Sequence, residues 1–341
     1  ALVPAGVAKK SDFWVCVGYS GWRPGQLQME VEARDSWYLA SADGGTLLKE
    51  LLREARELPP PGDSAITVDP GIDTWANLMR GIGRAADVAA SEDSLEDRML
   101  EQWVRVHLVP KPRAPTPASP PPEVKVGTVL TTAVSPETSM PADRVLMHEQ
   151  FLHKALLLVL DADDSLPDGK LSACVLNRPT ANLMRFNMPE FPPRRVPFCG
   201  NRRLNGQLWL HHRPELGGVP LGDSGVLLLS PGEVVELLQT AQADTSDFLL
   251  VRGVVQFTKS EVAGMLTARE LRPIPPGAQL ASLWPRTWSL MADDGASVSD
   301  GTDVWWLASQ CGAGEQLAAA VPSELADEAL AEWLKHFALG E

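Results

Sequence analysis

With 341 residues and 44% hydrophobic content, the chain is long enough for two domains of ordinary size and has a globular composition. A formal net charge of −14 repels phosphate backbones and argues against a general nucleic-acid binder; the basic pairs Arg194–Arg195 and Arg202–Arg203 form no stripe. No run of eighteen apolar residues occurs, so no membrane span is expected.

The chain opens at Ala1 without an initiator Met or a signal-type segment, which suggests processing and favours an imported organelle protein. DFWVCVGY, from Asp12, has the β-branched and aromatic content of a buried strand. It runs into GYSGWRPGQL, residues 18 to 27, where Gly18 and Gly21 allow turns or close approaches. Pro24 suits the first turn of a helix, along which Leu27 and Val31 face the sheet with Glu30 and Glu32 outward. This is the pattern of a structural corner. The alternative is a ligand cradle built from Gly18, Trp22, Gly25 and Gln26, because helix amino termini attract anions. Arg23 is the only nearby cation, and neither GxGxxG nor a P-loop is present.

DTWANLMRGIG around Trp75 predicts a short amphipathic helix, and SEDSLEDRMLEQWVRVHLV predicts an acidic helix opened by a Ser91 cap. PKPRAPTPASPPPE, residues 110 to 123, is half proline and reads as an extended linker. The expected organisation is therefore a first unit over residues 1–109, a linker over 110–123 and a second unit over 124–341. The second unit begins with the strand pattern VKVGTVLTTAV.

Within it, Asp161, Asp163, Asp164 and Asp168 surround Pro167–Asp168–Gly169, a solvated turn lacking the spacing of a calcium loop. Asn177 and Arg178, at a strand end, form the most site-like polar pair; arginine can hydrogen-bond several carbonyls and lock a loop, or it can bind a ligand. His211 and His212 are adjacent on a strand, point to opposite faces, and so do not make one metal pair. Cys16, Cys174, Cys199 and Cys311 lie far apart, without a CxxC, and are expected to be reduced thiols, mostly buried. Cys199 beside Gly200 would need a base and an orienter to act as a nucleophile, with His148, His153 and His211 as conceivable bases. No catalytic residues, metal site or cofactor are assigned.

DFWVCVGYSGWRPGQLQMEVEAR, from Asp12, can be laid without a gap on DFLLVRGVVQFTKSEVAGMLTAR, from Asp247. Asp, Phe, the strand glycine (Gly18 and Gly253) and the closing Ala-Arg coincide, and Trp22 meets Phe257. Both segments read as strand, turn, helix. DTWANLMRGIG likewise resembles AEWLKHFALG near Trp333. The pattern is that of a degenerate duplication. About 120 residues precede the motif in the second copy but eleven precede Asp12, so the first copy's amino-terminal half is expected to be encoded upstream or supplied by another segment.

GYSGWRPGQLQMEVEARDSWYLASAD resembles the carboxy-terminal signature of the AlgH-like family, GY-x-x-W-x-x-GQLE-x-E followed by a Trp, with Gln28 where the family has Glu. The second unit is similar to the family's amino-terminal half, which closes on LNRP, here Leu176, Asn177, Arg178, Pro179 and Thr180. The family's Gly-Gly-Pro has become Cys199–Gly200–Asn201, and the Tyr, Trp and Gly-Gln-Leu of the signature are lost after Gly253. The resemblance implies an α+β fold: two AlgH-like units, each a bifurcated mixed sheet curled into a partial barrel with flanking helices. Plant and algal relatives are associated with plastids, which implies the chloroplast stroma.

Eleven Trp against two Tyr, with Trp305 and Trp306 adjacent in DVWWLAS, suggest packing surfaces, since side chains of this size concentrate at interface hot spots. The expected function is that of a non-catalytic structural or auxiliary protein in a larger assembly, such as a photosynthetic complex or a self-associating layer. Its partners would be proteins or further copies of itself. The alternative is a regulator or sensor that binds a small anion at the Gly18–Gln26 and Asn177–Arg178 ends.

Overall fold

The structure is a computed structural model that describes residues 6–7, 19–33, 37–49, 71–108, 121–135, 139–141, 144–163, 165, 168–186, 191–293, 298–311 and 323–339. Its contacts divide the chain into two units, Ala1–Asp97 and Arg98–Glu341, with the division inside the helix Leu95–His107. No helix among the described residues is long and apolar enough to cross a membrane.

In the first unit the helix Gln26–Ala33 buries none of its residues. Residues 44–49 are also helical, with Asp43 accepting hydrogen bonds from the Gly45 and Thr46 amides at 3.0 Å each. The amphipathic helix expected around Trp75 spans Ile72–Gly81 and buries Thr74, Ala76 and Met79. Ala76 and Met79 pack with Val88 of the helix Ala85–Ser91 in a small apolar cluster. Ser91 therefore ends a helix instead of opening one. The cap of the following helix Leu95–His107 is Ser94, whose hydroxyl accepts the Asp97 amide at 3.1 Å. The strand expected from Asp12 lies outside the described residues, apart from its last residue, Tyr19.

The second unit is built on an eight-stranded sheet. Its strands, in chain order, are β1 (Val129–Thr132), β2 (Leu156–Asp163), β3 (Lys170–Val175), β6 (Arg202–His211), β7 (Val219–Pro220), β8 (Leu227–Leu229), β9 (Leu249–Thr258) and β10 (Leu271–Ile274). The spatial order is β10-β1-β2-β3-β9-β6-β8-β7, and β4 (Pro179–Met184) pairs with β5 (Arg194–Pro197) separately. Every strand pair among the described residues is antiparallel, where a mixed sheet was expected. Hairpins and long returns both reverse chain direction here, and the second unit's helices do not serve as parallel crossovers.

β9 explains the bifurcation. Its carboxy-terminal half pairs with β3, Lys170 opposite Thr258 through Ala173 opposite Val255. Its amino-terminal half pairs with β6, Arg202 opposite Val254 through Leu210 opposite Leu249. The sheet also curls: a Cβ on Gly127, at the foot of β1, would lie 2.1 Å from the Leu221 oxygen beside β7, although β1 and β7 stand near opposite ends of the strand order.

Strand alternation assigns the core to both faces. Val129, Leu156, Leu158, Cys174 and Leu176 pack on one side with Trp284, Trp288 and Val304, from the helices Ala278–Ser289 and Thr302–Gln310. Leu130, Leu157, Val159, Leu171 and Ala173 pack on the other with Val262, Met265, Leu330 and Trp333, from the helices Lys259–Thr267 and Glu324–Trp333. This two-sided burial is why LLLVL of β2 is a continuous apolar run. Each such side chain contributes about 1.5–3 kcal/mol. Thr258 opens the helix Lys259–Thr267 with a capping box closed by Glu261, so the strand-turn-helix reading from Asp247 corresponds to β9, a one-residue cap and this helix.

Candidate functional site

In the first unit the motif residues converge on one carboxylate. Gly25 has φ +79, a left-handed turn that places the Gln26 side chain to accept the Arg23 amide at 3.1 Å. Pro24 lies in this turn, before the helix and not in its first turn. Gln26 donates to Glu30 Oε1 at 2.9 Å, one helical turn on. The indole N–H groups of Trp22 and Trp37 both donate to Glu30 Oε2, at 3.1 and 3.0 Å, and the two rings meet edge to face at 5.9 Å. Glu30 therefore holds the loop to the helix, where sequence reasoning had turned it outward. The signal available was chemical: two indole donors flank a helix with a carboxylate at residue 30, and charged acceptors make the stronger bonds. Gly18, the first residue of the expected ligand loop, lies outside the described residues.

Asn177 and Arg178 are brought together as a buried lock. Both are fully buried, in the turn between β3 and β4. Asn177 Oδ1 accepts the Leu156 amide at 2.8 Å, while Nδ2 donates to the carbonyls of Lys154 at 2.9 Å and Gly301 at 2.8 Å. The Arg178 guanidinium donates to four backbone carbonyls: Asn177 at 3.0 Å, Asp300 at 2.8 Å, Lys154 at 3.0 Å and His153. Burial pulls Arg178 down to about 10 and the Asp300 carboxylate pulls it back up, so the group stays charged at neutral pH. Gly301 fits because it has no side chain. Its φ is +70, and a Cβ there would stand 1.9 Å from the Asn177 carbonyl oxygen. Every terminal nitrogen of Arg178 is directed at the backbone and neither residue has exposed surface, so the pair works here as a lock between loops, the structural use of the two that the sequence offered.

Sequence reasoning missed a neighbouring cluster. Asp327 Oδ1 is 2.7 Å from His153 Nε2 and 2.5 Å from Lys154 Nζ, and Oδ2 accepts the Ser323 hydroxyl at 2.8 Å. Burial pushes the Asp327 carboxyl up, but hydrogen bonds from His153, Lys154 and Ser323 more than reverse this and leave it well below the usual carboxylate range. Burial pulls His153 down, against the Asp327 carboxylate. The separation of 174 positions between His153 and Asp327 explains why no local pattern announced the pair. The serine sits on the carboxylate and not on the imidazole, so the three groups do not form a nucleophile–base–orienter relay.

The remaining candidates separate. Trp305 is half-buried, with its N–H on the Thr132 carbonyl at 2.8 Å and the Lys154 ammonium 5.8 Å from its ring centre, whereas Trp306 is exposed. Asp168 accepts the Ser260 amide at 3.2 Å and its hydroxyl at 2.6 Å, which ties the β2–β3 turn to the helix Lys259–Thr267. Asp164 lies outside the described residues. Cys174 and Cys199 are buried free thiols; burial pushes Cys199 up to about 12 and Cys174 well above the ordinary value, so neither is a ready nucleophile. Cys311 is a half-buried thiol, and Cys16 lies outside the described residues. His211 is buried with neither ring nitrogen at hydrogen-bonding distance and angle from a partner, and burial pulls both His211 and His212 down.

Residues 2–57 match the AlgH-like family. The match contains Trp22, Gln26, Glu30 and Trp37, the residues that meet at the carboxylate. It does not extend to residues 124–341. The solution structure of the AlgH protein from Pseudomonas aeruginosa aligns with 47% of this chain and 82% of its own, at 14% identity and a TM-score of 0.30. The strand order above, and not that alignment, defines the fold described here. No curated protein gives a significant match to the chain.

Proposed function

We propose that this protein is a non-catalytic structural or auxiliary component of a larger assembly, acting through protein–protein interfaces, and that it combines two AlgH-like units in tandem. The observation that carries this reading is the surface of the first unit. Its motif helix buries no residue, and Tyr19, Leu27, Met29, Trp37, Tyr38, Leu39 and Leu48 are all exposed. Large apolar side chains exposed at this density along a short segment support an interaction role, because proteins otherwise keep most such residues inside. The nucleophile raised by the sequence, Cys199, is buried, and burial pushes its thiol up to about 12, which speaks against that one catalytic route. A plastid setting follows from the resemblance to plant and algal relatives, and a photosynthetic complex or a self-associating layer is the kind of assembly it suggests.

Fractionation of the cells that make the protein tests the proposal. The full-length chain is expected with plastid markers and in high-mass fractions, and the double substitution Tyr19→Asp with Leu39→Asp is expected to move it to low mass. A wild-type chain that migrates alone, outside plastids, would contradict both parts.

A further inference from the structure

Asp327 fastens the helix Glu324–Trp333 to the turn that leads into β2. Its Oδ1 meets His153 Nε2 at 2.7 Å and Lys154 Nζ at 2.5 Å, and Glu328 on the same helix pairs with Arg98. Leu330 and Trp333 belong to one apolar cluster with Phe151 and Leu152, and the Trp333 ring stands 5.9 Å from Phe151 and 4.9 Å from Phe198. The helix continues through Leu334–Leu339, where Ala338 is buried in the same cluster. Among the described residues, no backbone–backbone hydrogen bond joins this segment to the body. By contrast, β2, β3 and β9 are each tied on both edges by strand ladders. An element held by side chains opens more readily than one woven into a sheet.

The fastening is built around an uncharged imidazole. His153 is 1% exposed. With Nε2 on a carboxylate, the neutral ring carries its proton there, and Nδ1 is left as an acceptor without a partner among the described residues. A second proton would sit on Nδ1, buried and with nothing to accept it. The charged groups that face the ring are Asp327, which favours that proton, and Lys154 and Arg178, which oppose it. Burial outweighs the carboxylate and holds the imidazole below its ordinary value. The closed helix therefore binds fewer protons than the open one as the pH falls through about 6.5, and acid favours opening. Glu332 bonds Lys335 and His336 within the segment, so opening does not separate that group.

We infer that the segment Glu324–Leu339 is an acid-sensitive clasp, which opens from the body as one unit and takes up a proton on His153 as it does so. Opening uncovers Phe151, Phe198 and Trp333, so the apolar face behind the helix is more available in acid. The device works alike in a lone chain and in an assembly component.

Hydrogen exchange of the full-length protein, read by mass spectrometry and corrected for the intrinsic pH dependence of amide exchange, provides the test. Amides of residues 324–339 should exchange through an opening of their own, faster than those of β3 and β9. Their opening constant should rise about tenfold from about pH 7 to about pH 5, the response to one proton taken up. His153→Gln should abolish that rise. His336→Gln and Asp327→Asn should retain it, since neither removes the titrating ring, and these two carry the test if His153→Gln fails to fold. Exchange of the segment in step with β3 and β9 would overturn the inference, as would an opening that ignores pH. So would a rise that survives His153→Gln, or one that is lost in His336→Gln or Asp327→Asn.

Discussion

Replacing Arg178 with Met retains an unbranched stem and deletes the guanidinium. The carbonyls of Asn177, Asp300 and His153 lose this donor, while the Lys154 carbonyl keeps the Asn177 amide. A buried acceptor left without a partner costs about 1–3 kcal/mol, so three give a gross loss of about 3–9 kcal/mol. Removing a charge from a fully buried position returns part of that, because burying a cation is itself unfavourable. The expected net loss is about 3–5 kcal/mol, the range found when one side of a buried polar network is removed. Urea denaturation of the full chain, followed by the fluorescence of the buried Trp284, Trp288 and Trp333 and by circular dichroism, reads this directly. Arg178→Lys should be intermediate, since one ammonium cannot serve four divergent carbonyls. A Met variant within about 1 kcal/mol of the parent would refute the reasoning, and the lock would then contribute only shape.

Gly301→Ala should cost at least about 2 kcal/mol in the same assay, because the new Cβ meets the Asn177 carbonyl and the backbone is left-handed; an unchanged midpoint would contradict that. Stability should fall as the pH drops below about 6.5. His153, His211 and His212 have folded pKa values below their ordinary one, so the unfolded chain takes up protons first. A second loss should follow below about pH 4, where the unfolded Asp327 protonates ahead of the folded one; Asp327→Asn should remove it and cost about 1 kcal/mol at pH 7, the carboxylate being partly exposed, and denaturation midpoints across the pH range check both. Thiol labelling with peptide mapping should modify Cys311 in the native protein and reach Cys174 and Cys199 only in denaturant. Glu30→Gln leaves one acceptor oxygen for three donors and should shift the Trp22 and Trp37 emission while costing under about 1 kcal/mol at this partly exposed site; an unchanged spectrum would contradict the cluster.

Much of the second unit was legible because its signals are local. The strand pattern VKVGTVLTTAV contains β1, and the strand-turn-helix read from Asp247 became β9 and the helix Lys259–Thr267; each signal acts within a few residues. What was not legible depends on contacts distant in the chain. Antiparallel pairing throughout needs the register of strands such as β1 and β10, and the His153–Asp327 contact joins residues far apart in the chain. The Ser91 and Ser94 alternatives differ by three residues, and both serines carry the cap chemistry. Ser94 is the cap because Ser91 is already the last residue of the preceding helix. For the candidate site, Arg178 was recognised as a residue able to bind carbonyls, but its complete burial is a property of the packed turn. Glu30 was misplaced because its charge was read as solvent-facing; three residues after Leu27 it shares that side of the helix, where two tryptophans from flanking loops donate to it.

The measurement that tests the central claim most directly is the mass of the native full-length protein, taken gently from its cells and followed through a hundredfold dilution. An assembly component should run well above the mass of a single chain, with Leu27→Glu shifting it downward at equal concentration. A single-chain mass at every concentration, identical for the parent and the variant, would contradict the account.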